Sequence, residues 1–365
     1  MKMAVVHDYL CGMGGSERVF QYICEEFPEA DIYTLAYNPN LAPQYFRKRL
    51  IRTTWINRFV QSMNAFRWSF PISTYVMNSI DLSAYDVVLS SSATVAKYIK
   101  VPNGKHICYC YIPTRALWQT NEYFGNSYKA TLIKFFLNYL KKRDYAAAQS
   151  VDRFIAISKV TQDQIKKIYN KNSEIIPSPI NAKEFLPVAN KSDNYLIVSR
   201  LEQWKCVDYA IEAFNKLKLP LRIIGSGIEE QKLKQIANAN ITFLGAVDDD
   251  TLSIEYAKAK AVIFTPFLEY GLIPLEANAS GTPVICYGKG GVTETMISVD
   301  NYCKNTQTPT AVFFYKQTPE ALISALKQFD LFDFDKEALV RHALKWDVPA
   351  FKRNIRKEIN NMHEI

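Results

Sequence analysis

The chain has 365 residues, enough for two domains of ordinary size that each bury a core. It is 48% hydrophobic and 22% charged, which is a globular composition and excludes disordered and fibrous classes. No apolar run approaches the ~18 residues of a membrane span, and a net charge of +8 suits phosphorylated ligands, anionic lipid or nucleic acid.

Strand and helix patterns alternate almost throughout, so the expectation is α/β layers around parallel sheets. Residues 2–7 read as a buried first strand rather than a signal peptide. Gly14 and Gly15 then make a turn into a helix, with Ser16 as its N-cap and Val19, Ile23 and Phe27 on one face. Residues 31–36, 86–90, 106–111 and 152–157 read as further strands, the last followed by a helix capped by Ser158. Cys108 and Cys110 point the same way in their strand. No second cysteine pair completes a zinc site, and the seven cysteines together point to a reducing cytoplasm.

Near Pro177 the pattern gives way to a polar, Pro-rich stretch that reads as a linker. A second α/β series starts at residues 195–198 and alternates to the strand "AVIFTPF". Domain bounds of 1–180 and 190–345 follow, with a basic C-terminal helix over 346–365 joining the first domain. Two such halves place a ligand between them, at the carboxyl ends of the strands.

The stretch "PFLEYGLIPLEANASGTPVI" carries the most chemistry. Gly271 turns the chain into a helix that ends at Ser280 and Gly281, with Glu276 in its first turn. A helix N-terminus offers unpaired N–H groups to an anion, and Glu276 is placed to accept from hydroxyls of the same ligand. A phosphate beside vicinal hydroxyls describes a nucleotide. Arg200 and Lys205 lie at a strand–helix junction, where a guanidinium fork and an ammonium point charge suit a diphosphate. Gly14 and Gly15 either let backbone approach a phosphate or make an ordinary tight turn, since no third glycine follows. The carboxylates Asp248, Asp249 and Asp250 directly precede a helix and read as its cap rather than as metal ligands.

Two basic, aromatic segments stand out, 46–70 and 128–143. In the second, Leu132, Phe136 and Leu140 share a helical stripe, with Lys129, Lys134, Lys141, Lys142 and Arg143 elsewhere. They suit an anionic membrane surface. The rivals are nucleic acid, for which no motif is visible, and a core-facing stripe with a solvated basic face. Of the histidines His7, His106, His342 and His363, only His7 is near the expected ligand.

Taken in order, the segments "VVHDYLCGMGGSERV", "YDVVLSSSATVAKYI", "HICYCYIPTRALW", "RDYAAAQSVDRFIAIS", "SRLEQWKCVDYAIEAF", "EYGLIPLEANASGTPVI" and "FFYKQTPEAL" resemble the retaining glycosyltransferases of family 4. Within that family the pattern is most similar to the bacterial O-antigen and exopolysaccharide mannosyltransferases. The resemblance implies the GT-B fold, with two Rossmann-like domains. It implies that Arg200 and Lys205 hold the donor diphosphate and that Glu276 binds the ribose hydroxyls. Backbone at Gly271, Leu272 and Ile273 would meet the sugar or β-phosphate, and Gly14 and Gly15 would face the donor phosphate.

It also implies metal-free, cofactor-free front-face transfer with retention. The donor is a nucleotide-diphosphate sugar, GDP-mannose by the branch resembled. The acceptor is a glycan or a lipid-linked molecule, and no nucleic acid is involved. The expected location is cytoplasmic, peripheral on the inner face of the membrane.

Two positions depart from the family pattern. Glu269 and Glu276 are one residue closer than the family's carboxylate pair, so either the loop is one residue shorter and Glu269 stands in for the catalytic carboxylate, or that carboxylate is absent. Tyr111 occupies the place of a family histidine, and tyrosine can donate a hydrogen bond but is not cationic at neutral pH. An active enzyme with an altered sugar or acceptor end is the leading expectation. A nucleotide-sugar-binding homologue without turnover is the alternative. A Rossmann-type dehydrogenase is disfavoured by the incomplete glycine fingerprint.

Overall fold

The computed structural model describes residues 1–119, 129–301 and 308–363. It divides into two compact units, Met1–Ser178 with Phe351–Ile365, and Pro179–Ala350. Among the described residues, no helix is long and apolar enough to cross a membrane.

The first unit is built on a seven-stranded sheet in the order β3-β2-β1-β4-β5-β6-β7. Its strands are β1 (Met3–His7), β2 (Asp31–Thr34), β3 (Ile51–Thr53), β4 (Val87–Ser92), β5 (Lys105–Cys110), β6 (Arg153–Ala156) and β7 (Ser173–Ile175), and every pairing is parallel. β1 and β4 are buried along their whole length, as a parallel sheet covered on both faces requires. β3 and β7 are edge strands that the sequence pattern did not suggest.

The helix Gly15–Glu26 buries Val19, Phe20, Ile23 and Cys24. Its N-cap is Gly14, not the expected Ser16, which lies one residue inside the helix. The helix Lys159–Tyr169 is capped by Ser158, whose hydroxyl accepts from Thr161 N–H at 3.1 Å. The helix Met63–Met77 is capped by Ser62, begins within the first basic, aromatic segment and runs seven residues past its end. The stripe expected on the helix Lys129–Gln149 is not continuous: Leu140 is buried while Phe136 faces outward. Leu132, Lys129 and Lys134 lie outside the residues whose side chains are described.

The helix Val348–His363 lays Phe351, Ile355 and Ile359, all buried, on one stripe. Tyr109 meets Phe351 edge to face. Ion pairs from Lys352 to Glu25 (2.8 Å) and from Glu358 to Arg153 (2.5 Å) flank this stripe, and Arg356 pairs with Glu26.

The second unit carries a six-stranded parallel sheet in the order β10-β9-β8-β11-β12-β13. These are β8 (Tyr195–Val198), β9 (Leu221–Ile224), β10 (Ile241–Gly245), β11 (Val262–Phe264), β12 (Val284–Tyr287) and β13 (Ala311–Phe314). Its core gathers Ile197, Phe214, Ile223, Ile263, Ile285 and Val312. Part of the stretch that reads as a linker is packed: Ile180 and Phe185 are buried, and Ile180 N–H donates to Trp346 C=O at 2.9 Å. Asp248 caps the helix Asp249–Lys258 by accepting from Thr251 N–H at 2.7 Å.

In both sheets the strand order reverses direction once, between β1 and β4 and between β8 and β11. Such switch points leave a crevice at the carboxyl ends of the strands.

Candidate functional site

In the second unit the loop leaving β8 runs from Ser199 to Lys205. It lies against the loop leaving β9, with Ser199 N–H donating to Ile224 C=O at 3.0 Å and Leu201 N–H to Ser226 C=O at 2.9 Å. Only glycine fits the facing positions. Gly225 has φ +124°, and a Cβ there would stand 1.9 Å from the Ser199 carbonyl oxygen. At Gly227 it would stand 2.2 Å from the Leu201 carbonyl oxygen.

Arg200 projects outward with its side chain 59% exposed, 3.5 Å from Glu202. Lys205 ends a short 3-10 turn (Gln203–Lys205) and is only 8% exposed. Its ammonium sits 4.1 Å from the Trp204 ring centroid, a cation–π contact that keeps the charge near the loop.

The loop leaving β11 is fastened to this one across the switch point. Thr265 Oγ1 donates to Lys205 C=O at 2.6 Å, and Tyr209 OH donates to Thr265 C=O at 2.8 Å. Further along, Leu268 bridges Gly290, and Gly291 N–H donates to Leu268 C=O at 2.9 Å. This pins the backbone on the N-terminal side of Glu269, which is buried.

Gly271 is the N-cap of the helix Leu272–Ala279 and supplies no side-chain cap. Leu272 and Ile273 are therefore the first helical positions, where backbone N–H groups have no intrahelical acceptor. Glu276 falls just past the first turn, not within it as expected, because the helix begins only at Leu272. Its Oε2 accepts from Tyr256 OH at 2.8 Å, which fixes the direction of the carboxylate. Sequence reasoning missed Thr265, Tyr256 and Trp204. Trp204 was detectable as a neighbour of Lys205; the other two act through long-range hydrogen bonds.

In the first unit, Gly14 meets the carboxylate of Glu17. A Cβ on Gly14 would lie 2.9 Å from Glu17 Oε2, so a side chain there would require the Glu17 carboxyl to shift. Glu17 is buried and accepts from Ser16 Oγ at 2.9 Å.

Tyr111 follows β5. Its hydroxyl donates to Ser16 C=O at 3.0 Å and lies 2.9 Å from Ser91 Oγ. A carbonyl can only accept, so the Tyr111 proton is committed to it and Ser91 Oγ donates to Tyr111. His7 Nδ1, 3.1 Å from both Ser91 O and Ser91 Oγ, is then the protonated nitrogen of a neutral ring. Burial lowers the His7 pKa and raises that of Tyr111 well above its ordinary value.

Beside this network Asp8 accepts from the backbone N–H groups of Ala93, Thr94, Val95 and Ala96 at 2.6–2.9 Å, and so ties the end of β1 to the loop after β4.

Residues 180–330 match the family model of glycosyl transferases group 1, and residues 13–184 match that of glycosyltransferase family 4. The chain belongs to the family 4 glycosyltransferases. It is 26% identical over 258 residues to an uncharacterized glycosyltransferase, MJ1607, of Methanocaldococcus jannaschii, a match covering 61% of this chain and 62% of that protein. It is 21% identical to the alpha-1,3/1,6-mannosyltransferase ALG2 of Candida glabrata, over 82% of this chain and 78% of that one. With the O-antigen chain mannosyltransferase RfbU of Salmonella typhimurium it shares 26% identity, over 42% and 46% of the two chains.

Among solved structures, this family 4 chain superposes on sucrose-phosphate synthase of Thermosynechococcus elongatus with a TM-score of 0.75 at 14% identity, over 100% of both chains. Anabaena HepE, solved in complex with UDP, gives 0.70 at 14% identity, over 99% of this chain and 100% of that one. These likenesses establish the GT-B fold.

Proposed function

We propose that this family 4 glycosyltransferase moves a mannosyl group from GDP-mannose to a glycan or lipid-linked acceptor, with retention and without a metal or cofactor. The observation that carries the reading is the hydrogen bond from Thr265 to Lys205 C=O, which joins the cation-bearing loop after β8 to the loop that leads into Glu269 and Glu276. The mannosyltransferase names of two relatives support the sugar, and the UDP bound to HepE supports a nucleoside diphosphate.

In this reading Arg200 and Lys205 neutralise the charge that grows on the diphosphate as the sugar–phosphate bond breaks. Glu276, aimed by Tyr256, accepts from the ribose hydroxyls. The N–H groups at Gly271, Leu272 and Ile273 meet the sugar or β-phosphate, Glu269 lies at the sugar end, and the Gly14–Gly15 turn meets the donor phosphate. Tyr111 serves the reaction as a neutral hydroxyl. The acceptor oxygen attacks the anomeric carbon on the face the diphosphate leaves, and a diphosphate oxygen takes the acceptor proton. We place the enzyme in the cytoplasm, peripheral on the inner face of the membrane. A second reading, nucleotide-sugar binding without turnover, is favoured by the shortened interval between Glu269 and Glu276.

The test is the melting temperature with GDP, UDP and GDP-mannose, together with a donor-hydrolysis assay. A nucleotide that binds the native state at 100 times its Kd stabilises it by about 2.7 kcal/mol. GDP is expected to give the largest shift, and Lys205→Ala and Glu276→Ala are expected to abolish it. If both variants keep the full shift, the site assignment is wrong. Binding without hydrolysis selects the second reading.

A further inference from the structure

The loop between β8 and the helix Val207–Leu217 holds one charge that the proposed chemistry does not use. Glu202 stands between the two cations Arg200 and Lys205, on the loop to which the donor diphosphate is assigned. Two anions that share one guanidinium repel each other. A carboxylate at this place therefore works against the very ligand that the cations attract.

The backbone does not need this side chain. Glu202 is the N-cap of the 3-10 turn Gln203–Lys205, yet its carboxylate makes no cap hydrogen bond. Main-chain bonds hold the turn: Glu202 N–H donates to Arg200 C=O at 3.0 Å, and Lys205 N–H donates to Glu202 C=O at 2.9 Å. The carboxylate turns to side chains instead. Its Oε1 lies 3.5 Å from Arg200 Nη1, and its Oε2 accepts from Trp204 Nε1 at 2.5 Å.

Trp204 thus meets both kinds of charge on the loop. Its ring faces the Lys205 ammonium, and its N–H holds Glu202. The Glu202 side chain is 21% exposed and that of Arg200 59%. The carboxylate is the confined member of the pair, and the guanidinium has room to turn toward a ligand. As a stabiliser the pair is weak, because one member is this exposed. Its effect on a bound anion is the larger one.

The two nucleotides that such a site meets differ in charge. A nucleotide-diphosphate sugar carries one negative charge on each phosphate. Once the sugar has left, the terminal phosphate gains most of another charge at neutral pH. A fixed carboxylate beside Arg200 penalises the second species more than the first.

We propose that Glu202, held in place by Trp204, senses this charge: it favours the sugar-bearing donor over the nucleoside diphosphate product and so promotes product release. This rests on the transferase reading and deepens it. Arg200 passes from Glu202 to the diphosphate on binding and returns when the product leaves. Glu202 touches no reacting atom; it sets specificity between substrate and product.

The experiment is titration calorimetry of the full chain with two pairs of ligands, GDP with GDP-mannose and UDP with UDP-glucose. The quantity read is the ratio of dissociation constants within a pair. Glu202→Gln removes the charge and keeps an acceptor for Trp204. It is expected to tighten the free diphosphate about fivefold more than the sugar nucleotide. Glu202→Asp retains the charge and should keep the ratio near that of the wild type. Trp204→Phe keeps a ring beside Lys205 but releases Glu202, and should move the ratio part of the way toward the Glu202→Gln value.

A purely structural role for Glu202 would weaken both members of a pair alike. An unmoved ratio in Glu202→Gln or in Trp204→Phe therefore overturns the proposal. So does a Glu202→Gln chain that binds the free diphosphate less tightly than the wild type. A wild type that binds none of the four ligands overturns the transferase reading and this inference with it. Wild-type binding with an unmoved ratio overturns this inference alone.

Discussion

At the scale of single residues, His106 and Tyr111 in the first unit are held neutral by burial. His106 on β5 has Nε2 2.8 Å from Ser90 Oγ, and its Nδ1 finds no protein partner. Burial pushes its pKa down to about 4, below the 6.5 of an exposed ring. The unfolded chain therefore binds more protons than the folded one between these values. Stability is full above pH 6.5 and is lost as pH falls toward 4, at up to about 1.4 kcal/mol per pH unit. Stability measured by denaturation should fall across this range, and His106→Asn should reduce the slope while leaving the share of His7 and His342, whose pKa values burial lowers as well.

Tyr111 is a second case. The family likeness drew it as a catalytic substitute for histidine, and its identity was legible in the sequence. Its hydrogen bonds to Ser16 and Ser91 were not, because they join residues far apart along the chain. The same holds for Tyr256 and Glu276.

At the scale of elements, strands with continuous apolar runs were legible. β1 and β8 lie within a residue of their expected bounds. β3 and β7 were not, because Ile51-Arg52-Thr53 and Ser173-Glu174-Ile175 are too short and too polar to show a period. The Ser16 cap was misplaced because Gly14 and Ser16 are both acceptable N-caps, and only the backbone at Gly14 (φ −137°) decides between them.

The loops after β8 and β9 show what a local pattern hides. Gly225 and Gly227 let the two loops share one hydrogen-bond ladder, which no local sequence pattern shows. Gly225→Ala would force a Cβ into the Ser199 carbonyl at a φ that side chains rarely adopt. We expect it to cost about 3 kcal/mol. A scan of the second unit's melting should show the loss, with a weaker GDP-induced shift.

At the scale of the whole molecule, each unit repeats one plan, a parallel sheet with one switch point and its chemistry-bearing residues at the carboxyl ends of the strands. That plan was readable because alternating strand and helix patterns admit few other topologies.

The helix Val348–His363 adds a dependence that the two sheets alone do not show. Ile359 is wholly buried against the first unit. Ile359→Ala should therefore cost about 2–5 kcal/mol. Urea titration followed by tryptophan fluorescence should show the midpoint fall. Glu358 belongs to the same seam, where its bond to Arg153 spans 205 positions of sequence. A ribosome makes the closing helix only after all of the second unit, so the nascent first sheet emerges with Tyr109 and its neighbours still uncovered. Folding of the first unit is thereby tied to the synthesis of Val348–His363: a message cut short within that helix would yield a chain whose earlier-made sheet is the part left unfinished.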